Sequence, residues 1–181
     1  LIPRIIHQTW KDRDIPSHFR PFQASWTRYH PRWEYLLWTD IDSRALLAEH
    51  YAWFLPVYDH HPQPIIRVDA VRFFILHHFG GLYADLDYEC LQPFDALLTG
   101  KALVIGREPD AHSQRALALE RGHDSILSNA LMASIPGHPF WDHVFKMLVG
   151  AHLAPDPLDA TGPFLLTEAY RSAPDQTSIS V

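Results

Sequence analysis

The most hydrophobic stretch of the chain is QPIIRVDAVRFFILHHFGG, residues 63–81. Apolar side chains fall on nearly every side of a helix drawn through it. A helix that is hydrophobic all round lies inside a protein, so the pattern predicts a buried helix. Gly80 fits the position just past the helix end, where a left-handed backbone is favoured.

Shorter patterns on both sides of this helix predict alternating strands and helices. Strands are expected in LIPRIIHQTW (1–10, centred on Ile5 and Ile6), WEYLLWTD (33–40), LYADLDYE (82–89) and KALVIGRE (101–108). Helices are expected in PFQASWTRYHP (21–31), from an N-cap at Ser43 to an interruption at Pro56, in HPFWDHVFKMLVGAHL (138–153, ending near Gly150), and from TGPFLLTEAY (161–170). SNALMASIP (128–136) has a mixed pattern. The alternation predicts an α/β fold with a mostly parallel sheet flanked by helices.

Composition narrows the class of protein. The 181 residues suit a single domain covering 1–181, and 47% are apolar, which is enough for a core. The formal charge is −6 and no cluster of Lys and Arg occurs, so we expect no nucleic-acid partner. An anionic ligand would therefore need a metal ion or a few placed arginines.

Cysteine and membrane signals are nearly absent. Cys90 is the only cysteine, which excludes an intrachain disulfide and a multi-cysteine zinc site. The thirteen histidines show no metal-binding spacing, and no apolar run reaches the roughly 18 residues of a membrane span. No signal peptide opens the sequence, although an upstream anchor could precede residue 1. We expect a cytoplasmic protein, membrane-associated or not, or a Golgi-lumen domain if an anchor is missing.

Three acids recur at every second position in FGGLYADLDYE, residues 79–89. On a strand, Tyr83, Asp85, Asp87 and Glu89 would share one face, with about 6.7 Å between neighbours. Carboxylates this close repel each other, and a divalent cation removes the conflict. Oxygen ligands favour Mg²⁺ or Mn²⁺, which can also bridge to a diphosphate. The pattern therefore suggests a metal and a nucleoside diphosphate at a strand end.

The three acids at 85, 87 and 89 have other interpretations, of which one stays open and two are excluded by the sequence. A charged, solvated strand face would carry the same D-x-D pattern simply to block aggregation. A calcium EF-hand loop starting at Asp85 would need glycine at its sixth position, where Cys90 stands. A phosphatase with an aspartyl nucleophile would have Thr or Val where Glu89 stands, on the first strand.

Five blocks in order, IPRIIHQTW, SWTRYHPRWEYLLWTDID, VDAVRFFILHHFGGLYADLDYECLQPFD, SNALMASIPGHPFW and TGP, resemble a known family. The sequence is similar, over about residues 2–165, to family-32-type glycosyltransferases with a DXD sugar-binding region. These include yeast-type α-1,6-mannosyltransferases and inositolphosphoceramide mannosyltransferases, with clostridial glucosylating toxins as distant relatives. The resemblance implies a GT-A, Rossmann-like fold and a retaining, metal-dependent transfer.

The same resemblance implies roles for particular residues. Asp85 and Asp87 would hold Mn²⁺ or Mg²⁺ and the diphosphate, and both would have to stay ionised. Donor-binding roles fall to Trp10 (on the base), Asp69 (on sugar or ribose hydroxyls), Arg72, Tyr83 and Asn129. Arg72 would also support the reaction electrostatically. His138 matches the last block, but it would serve equally well as a turn residue.

Each role has a structural alternative. Asp69 and Arg72 could form an internal ion pair, and Trp10 and Tyr83 could be ordinary core. The family's common Ser before the acid at 69 is Val68 here. No further metal ligand is recognisable, so part of a C-terminal region is lacking or the site uses fewer ligands.

Three functions are compatible with the sequence. The first is a glycosyltransferase acting on a GDP- or UDP-sugar donor and a glycan or lipid-linked acceptor, with peripheral membrane association expected for a lipid. The second is a non-catalytic nucleotide-sugar-binding domain of the same fold. The third is a metal-dependent phosphohydrolase.

Overall fold

A computed structural model describes residues 1–61, 63–151 and 153–181. Six strands form one sheet: β1 (Ile5–Thr9), β2 (Glu34–Trp38), β3 (Gly81–Ala84), β4 (Leu103–Arg107), β5 (Leu127–Ser134) and β6 (Ile179–Ser180). Their order across the sheet is β2-β1-β3-β5-β4-β6. β1 pairs in parallel with β2 and β3, and β4 pairs in parallel with β6, whereas β5 is antiparallel to both β3 and β4. The sheet is thus mixed but mostly parallel, as predicted.

Ten helices connect these strands in the described ranges. They are α1 (Arg20–Tyr29), α2 (Asp40–His50), α3 (Leu55–His60), α4 (Pro64–Phe79), α5 (Asp95–Leu98), α6 (Asp110–Ser113), α7 (Ala116–Glu120), α8 (Pro139–Ala151), α9 (Pro157–Ala160) and α10 (Pro163–Arg171). Residue 152, within the predicted 138–153 segment, lies outside the described residues. α5, α6, α7, α9 and β6 were not predicted, because such short elements have no periodicity of their own.

Two hydrophobic cores cover the two faces of the sheet. Tyr83, Leu103, Ile105 and Met132 face the larger core, which α2, α4, α8 and α10 complete. Ile6, Leu82, Ala84 and Ala133 face the other, which Trp26 of α1 and Leu98 of α5 complete. The alternation of side chains across each strand thus buries both faces.

The buried central helix is confirmed. In α4, every residue from Asp69 to Leu76 is buried, and the helix ends at Gly80 with φ +64°. A Cβ added to Gly80 would lie 2.7 Å from the Ser134 carbonyl oxygen and from Cδ of Pro136, so only glycine fits this turn.

Two boundaries of the predicted helix at 43–56 are wrong. α2 begins three residues before Ser43, because Thr39 forms a capping box with Asp42: the Thr39 hydroxyl accepts from the Asp42 amide at 3.2 Å, and the Asp42 carboxylate accepts from the Thr39 amide at 2.9 Å. Pro56 does not interrupt a helix. It lies in the first turn of α3, where its missing N–H costs nothing.

Candidate active site

A cavity of about 630 Å³ opens where β1, β3 and β4 end and β5 begins. Ligand crevices in open α/β sheets form at this edge. The strand ends, the residues just beyond them and α4 supply its polar wall, which comprises Thr9, Lys11, Asp40, Asp69, Arg72, Asp85, Asp87, Glu108 and Asn129. Its apolar wall includes Trp10, Phe19, Ile65, Val68, Leu86 and Leu158.

The two aspartates of the D-x-D pattern lie on a turn, not on a strand. β3 ends at Ala84, and the amide of Asp85 still donates to the Ala130 carbonyl at 2.8 Å. The Asp85 carbonyl then accepts from the Tyr88 amide and from Nε2 of Gln8, both at 3.1 Å, which bends the chain. The predicted strand over 82–89 with Tyr83, Asp85, Asp87 and Glu89 on one face is therefore wrong beyond residue 84.

Arg72 is the centre of the polar wall. One guanidinium nitrogen, Nη2, donates to Oδ1 of Asp69 at 2.5 Å. The other, Nη1, donates to the Asn129 carbonyl at 2.8 Å and lies 3.2 Å from Oδ1 of Asp85. The predicted ion pair of Asp69 and Arg72 thus exists, and it is part of the cavity wall. Structure and ligand binding are not exclusive roles here.

Tyr83 lies one layer below the cavity. It is fully buried and does not line the cavity, so direct contact of its ring with a donor is not available in this conformation. Its hydroxyl donates to Oδ1 of Asp85 at 2.9 Å and lies 2.8 Å from Oγ1 of Thr9. Arg72 stacks over its ring, with Cζ 4.8 Å from the centroid. Tyr83 therefore orients Asp85.

The pKa values of this cluster depend on the balance between burial and Arg72. Burial raises the pKa of Asp69 and of Asp85, and the neighbouring guanidinium opposes both shifts. Burial acts against the charge of Arg72, but Tyr83 and the two carboxylates outweigh it and raise its pKa, so Arg72 stays positive. Burial also raises the pKa of Tyr83 well above its usual value, so the phenol remains a donor.

Asp87 differs from Asp85 in having no hydrogen bond or ion pair to any described residue. It is exposed and lines the cavity, whereas Glu89 is exposed but does not line it. No group of three or more His, Cys, Asp or Glu side chains in the described ranges is arranged to hold a metal ion. Two aspartates with free oxygen valences remain a suitable donor set for Mg²⁺ or Mn²⁺, because these ions take one or two carboxylates plus phosphate oxygens.

Three N–H donors of residues that line the cavity have no partner among the described residues. They are the buried atoms Nδ2 of Asn129, Nε1 of Trp10 and Nε of Arg72. The Asn129 amide is near enough to lower the pKa of Asp69, but it meets no acceptor in hydrogen-bonding geometry. Unpartnered buried donors are rare, so all three are available to a polar ligand.

The sequence pattern missed two acids and included one histidine that lies elsewhere. Asp40 and Glu108 line the cavity, just beyond β2 and β4. Each is the last residue of a predicted strand, 33–40 and 101–108, which is the signal that was available for them. His138 is buried away from the cavity, and its Nδ1 accepts from the Phe140 amide at 3.2 Å, which makes it a turn residue.

Two sequence comparisons bear on the family. Residues 16–104 match the model "Glycosyltransferase sugar-binding region containing DXD motif". The chain is 38% identical over 148 residues to "Inositol phosphoceramide mannosyltransferase 2" of Schizosaccharomyces pombe, covering 82% of this chain and 39% of that protein. It is also 38% identical over 148 residues to "Mannosyl phosphorylinositol ceramide synthase SUR1" of Saccharomyces cerevisiae, covering 82% and 35%. The chain thus spans less than half the length of these relatives.

The fold matches that of a solved glycosyltransferase. The "PaToxG Glycosyltransferase" superposes with a TM-score of 0.70 over 98% of this chain and 72% of the other, at 16% sequence identity. The matched region, residues 16–104, contains α4, β3 and the turn with Asp85 and Asp87. The chain therefore belongs to the glycosyltransferases that carry the DXD sugar-binding region, as its sequence predicted.

Proposed function

We propose that this chain is the donor-binding part of a metal-dependent glycosyltransferase that moves a sugar from a nucleoside diphosphate sugar to a glycan or glycolipid acceptor. One observation carries the proposal: Asp85 and Asp87 follow β3 at the cavity edge, beside a buried arginine that neutralises only part of their charge. The names of the relatives suggest a mannosyl residue and an inositol phosphoceramide acceptor.

The donor would be held from two sides. The exposed carboxylate of Asp87 and the free valences of Asp85 face the region where a diphosphate and its cation would bind. The unpartnered amide nitrogen of Asn129 can donate to a sugar or ribose oxygen, and Asp69 can accept from a hydroxyl. The indole of Trp10 lies in the apolar wall and suits stacking on a base.

Asp85 and Asp87 are the residues that would hold Mn²⁺ or Mg²⁺. The bound cation would neutralise charge that develops on the departing diphosphate. Arg72 keeps its positive charge and fixes Asp85, while Tyr83 fixes the same carboxylate from below. The carboxylate is thus pre-oriented before any ligand arrives, which lowers the cost of binding.

The acceptor hydroxyl would attack from the face that the leaving group departs. Retention of the anomeric configuration follows from the sequence resemblance alone, and proton NMR of the fresh product tests it. A glycolipid acceptor would require the protein to reach a membrane surface. No helix in the described ranges is long and apolar enough to span a membrane.

The decisive test compares two neighbouring acids. In Asp87→Ala we expect loss of Mn²⁺-dependent binding of GDP-mannose by isothermal titration, with an unchanged melting temperature, because Asp87 bonds to no described residue. Glu89→Ala is the matched control, since Glu89 is equally exposed but lies outside the cavity. UDP-glucose serves as the second donor.

Three outcomes separate the alternatives. Equal donor binding by wild type and Asp87→Ala would show that the site is wrongly assigned. Donor binding without release of nucleoside diphosphate on addition of acceptor would indicate a non-catalytic binding domain. Release of inorganic phosphate would indicate a phosphohydrolase.

A further inference from the structure

A second groove, of about 230 Å³, adjoins the donor cavity. Glu108, Leu158 and Pro163 line both, so the two spaces meet along these residues. Beyond the junction, the groove is lined by residues of the connection between β4 and β5 and by α10: His112, Arg115, Leu117, Ala118, Ile126 and Phe164. None of these six lines the donor cavity.

Glu108 stands at the junction with one oxygen available. Its Oε2 accepts from Nδ1 of His112 at 2.7 Å, and Oε1 has no hydrogen-bond partner in the described part of the chain. Burial, and after it the charges of Glu108, Asp85 and Asp87, raises the pKa of Tyr88. Glu108, Asp85 and Asp87 also line the same cavity, so the junction lies on the wall that carries the D-x-D turn.

Arg115 supplies a cation that no described carboxylate neutralises. One arginine ends β4, at 107, and two lie in the connection to β5, at 115 and 121. Arg107 pairs with Asp110 at 3.5 Å and Arg121 with Asp159 at 2.5 Å, whereas Arg115 has no ion pair to a described residue. In a chain of net charge −6, a free guanidinium at the rim of a groove favours an anionic ligand.

The rest of the groove is apolar. Ile126 and Phe164 are buried in its floor and pack with Ala118 and Leu158. Leu117 of α7 lines the groove beside these residues and is 46% exposed. Together these residues give the groove an apolar lining beside Arg115.

We propose that this groove is the acceptor subsite and that it binds a phosphate-bearing amphiphile. The accepting hydroxyl would donate to Glu108, the phosphate would face Arg115, and the first part of the apolar chain would lie against Leu117 and Phe164. The inference rests on the proposed function, because it takes the adjoining cavity as the donor site. It assigns the acceptor class to particular residues of the connection between β4 and β5.

The test measures acceptor binding without requiring transfer. Short-chain phosphatidylinositol and a neutral alkyl glucoside of the same chain length, both below their micelle concentrations, are titrated into the protein with Mn²⁺ and GDP present. We expect Arg115→Gln to weaken binding of the anionic probe by about 3-fold and that of the neutral probe not at all. Leu117→Ser should weaken both by about 5-fold.

Two matched controls lie nearby in the sequence. Leu119 is 61% exposed on the same short helix as Leu117 but does not line the groove, and Arg107 is an exposed arginine outside it. Leu119→Ser and Arg107→Gln should bind both probes as the wild type does. All four variants should bind GDP-mannose normally.

If Arg115→Gln and Leu117→Ser both bind the probes as tightly as the wild type does, the proposed acceptor subsite is wrong, whatever the donor titration shows. Failure of the wild type to bind nucleotide sugar with Mn²⁺ would instead overturn the proposed function. The two failures are therefore read from different titrations.

Discussion

Two clusters in this protein have the same composition and differ in burial. Each contains one arginine, two aspartates and one aromatic ring. Arg72 pairs with Asp69 and Asp85 and lies 4.8 Å above the Tyr83 ring, and its side chain is 3% exposed. In the second cluster, which comprises Arg121, Asp156, Asp159 and Phe164, the arginine lies 5.1 Å from the ring and is 26% exposed.

The carboxylates of the two clusters differ in how many of their oxygen lone pairs remain free for a ligand. Asp159 accepts three contacts from Arg121, and Asp156 also caps α9 by accepting from the Leu158 amide at 3.0 Å. The Asp85 side chain is 31% exposed and lines the cavity, so it has valences left for a ligand. Composition alone therefore does not separate a structural ion cluster from a binding site. What separates them is whether carboxylate oxygens without a partner face a cavity.

The largest effect should come from removing the buried arginine. Arg72→Met leaves Asp69 and Asp85 partly or fully buried without their cation, which should cost about 3–5 kcal/mol of unfolding free energy. Arg121→Met should cost far less, because solvent and salt screen the second cluster. Urea unfolding of both variants at neutral pH measures the difference. Equal losses would mean that burial does not distinguish the clusters.

A smaller effect should appear in how stability depends on pH, through His7 on β1, the strand that ends at the cavity. Burial lowers the pKa of His7 to about 4 from 6.5, and it has no carboxylate partner among the described residues. Because the folded-state pKa is the lower one, the stability that His7 contributes is present above pH 6.5 and is lost as the pH falls toward 4. The loss should reach about 3 kcal/mol, and His7→Gln should remove it.

The control for His7 lies beside the second cluster. Burial also lowers the pKa of His123, but Glu168, 3.4 Å away, opposes the shift. His123→Gln should therefore change the slope of unfolding free energy against pH between 6.5 and 4 less than His7→Gln does. Parallel curves for wild type and His7→Gln would contradict the prediction.

The smallest effect should come from Gln8, which supports the D-x-D turn without charge. It is fully buried, donates to the Asp85 carbonyl at 3.1 Å and accepts from the Tyr35 hydroxyl at 2.7 Å. Gln8→Leu should cost about 1–3 kcal/mol of stability and weaken Mn²⁺-dependent donor binding. Tyr35→Phe keeps the hydrogen bond from Gln8 to the Asp85 carbonyl, so it should lower stability without weakening donor binding. Equal binding by all three proteins would show that Gln8 does not position the turn.

The sequence predicted the fold well wherever the pattern within a single element was sufficient to define that element. The all-round apolar pattern of α4 and the glycine at its end required a buried helix and a tight turn. The mixed segment at 128–136 was not recognised as β5, because its polar residues are accommodated by pairing with β3 and β4. Short apolar patterns cannot report such long-range contacts.

Six of the predicted site residues lie together, whereas the local geometry of the acids differs from the predicted strand. Asp69, Arg72, Asp85, Asp87, Asn129 and Trp10 line one cavity, and their roles in binding stay predictions. Alternation failed at Asp85 because a side chain 77 residues away, Gln8, binds its carbonyl. Glu108 carried no motif, and its place at the end of a predicted strand was its only signal in the sequence.

The reversed direction of β5 has a consequence for how such enzymes could diversify. Since β4 leaves the sheet at the cavity edge and β5 returns there, the whole intervening stretch, residues 108–126, begins and finishes at the mouth of the site. Its length and composition can change while every strand keeps its neighbours. Exchanging this stretch between related chains should alter which acceptor is used and leave the donor unchanged.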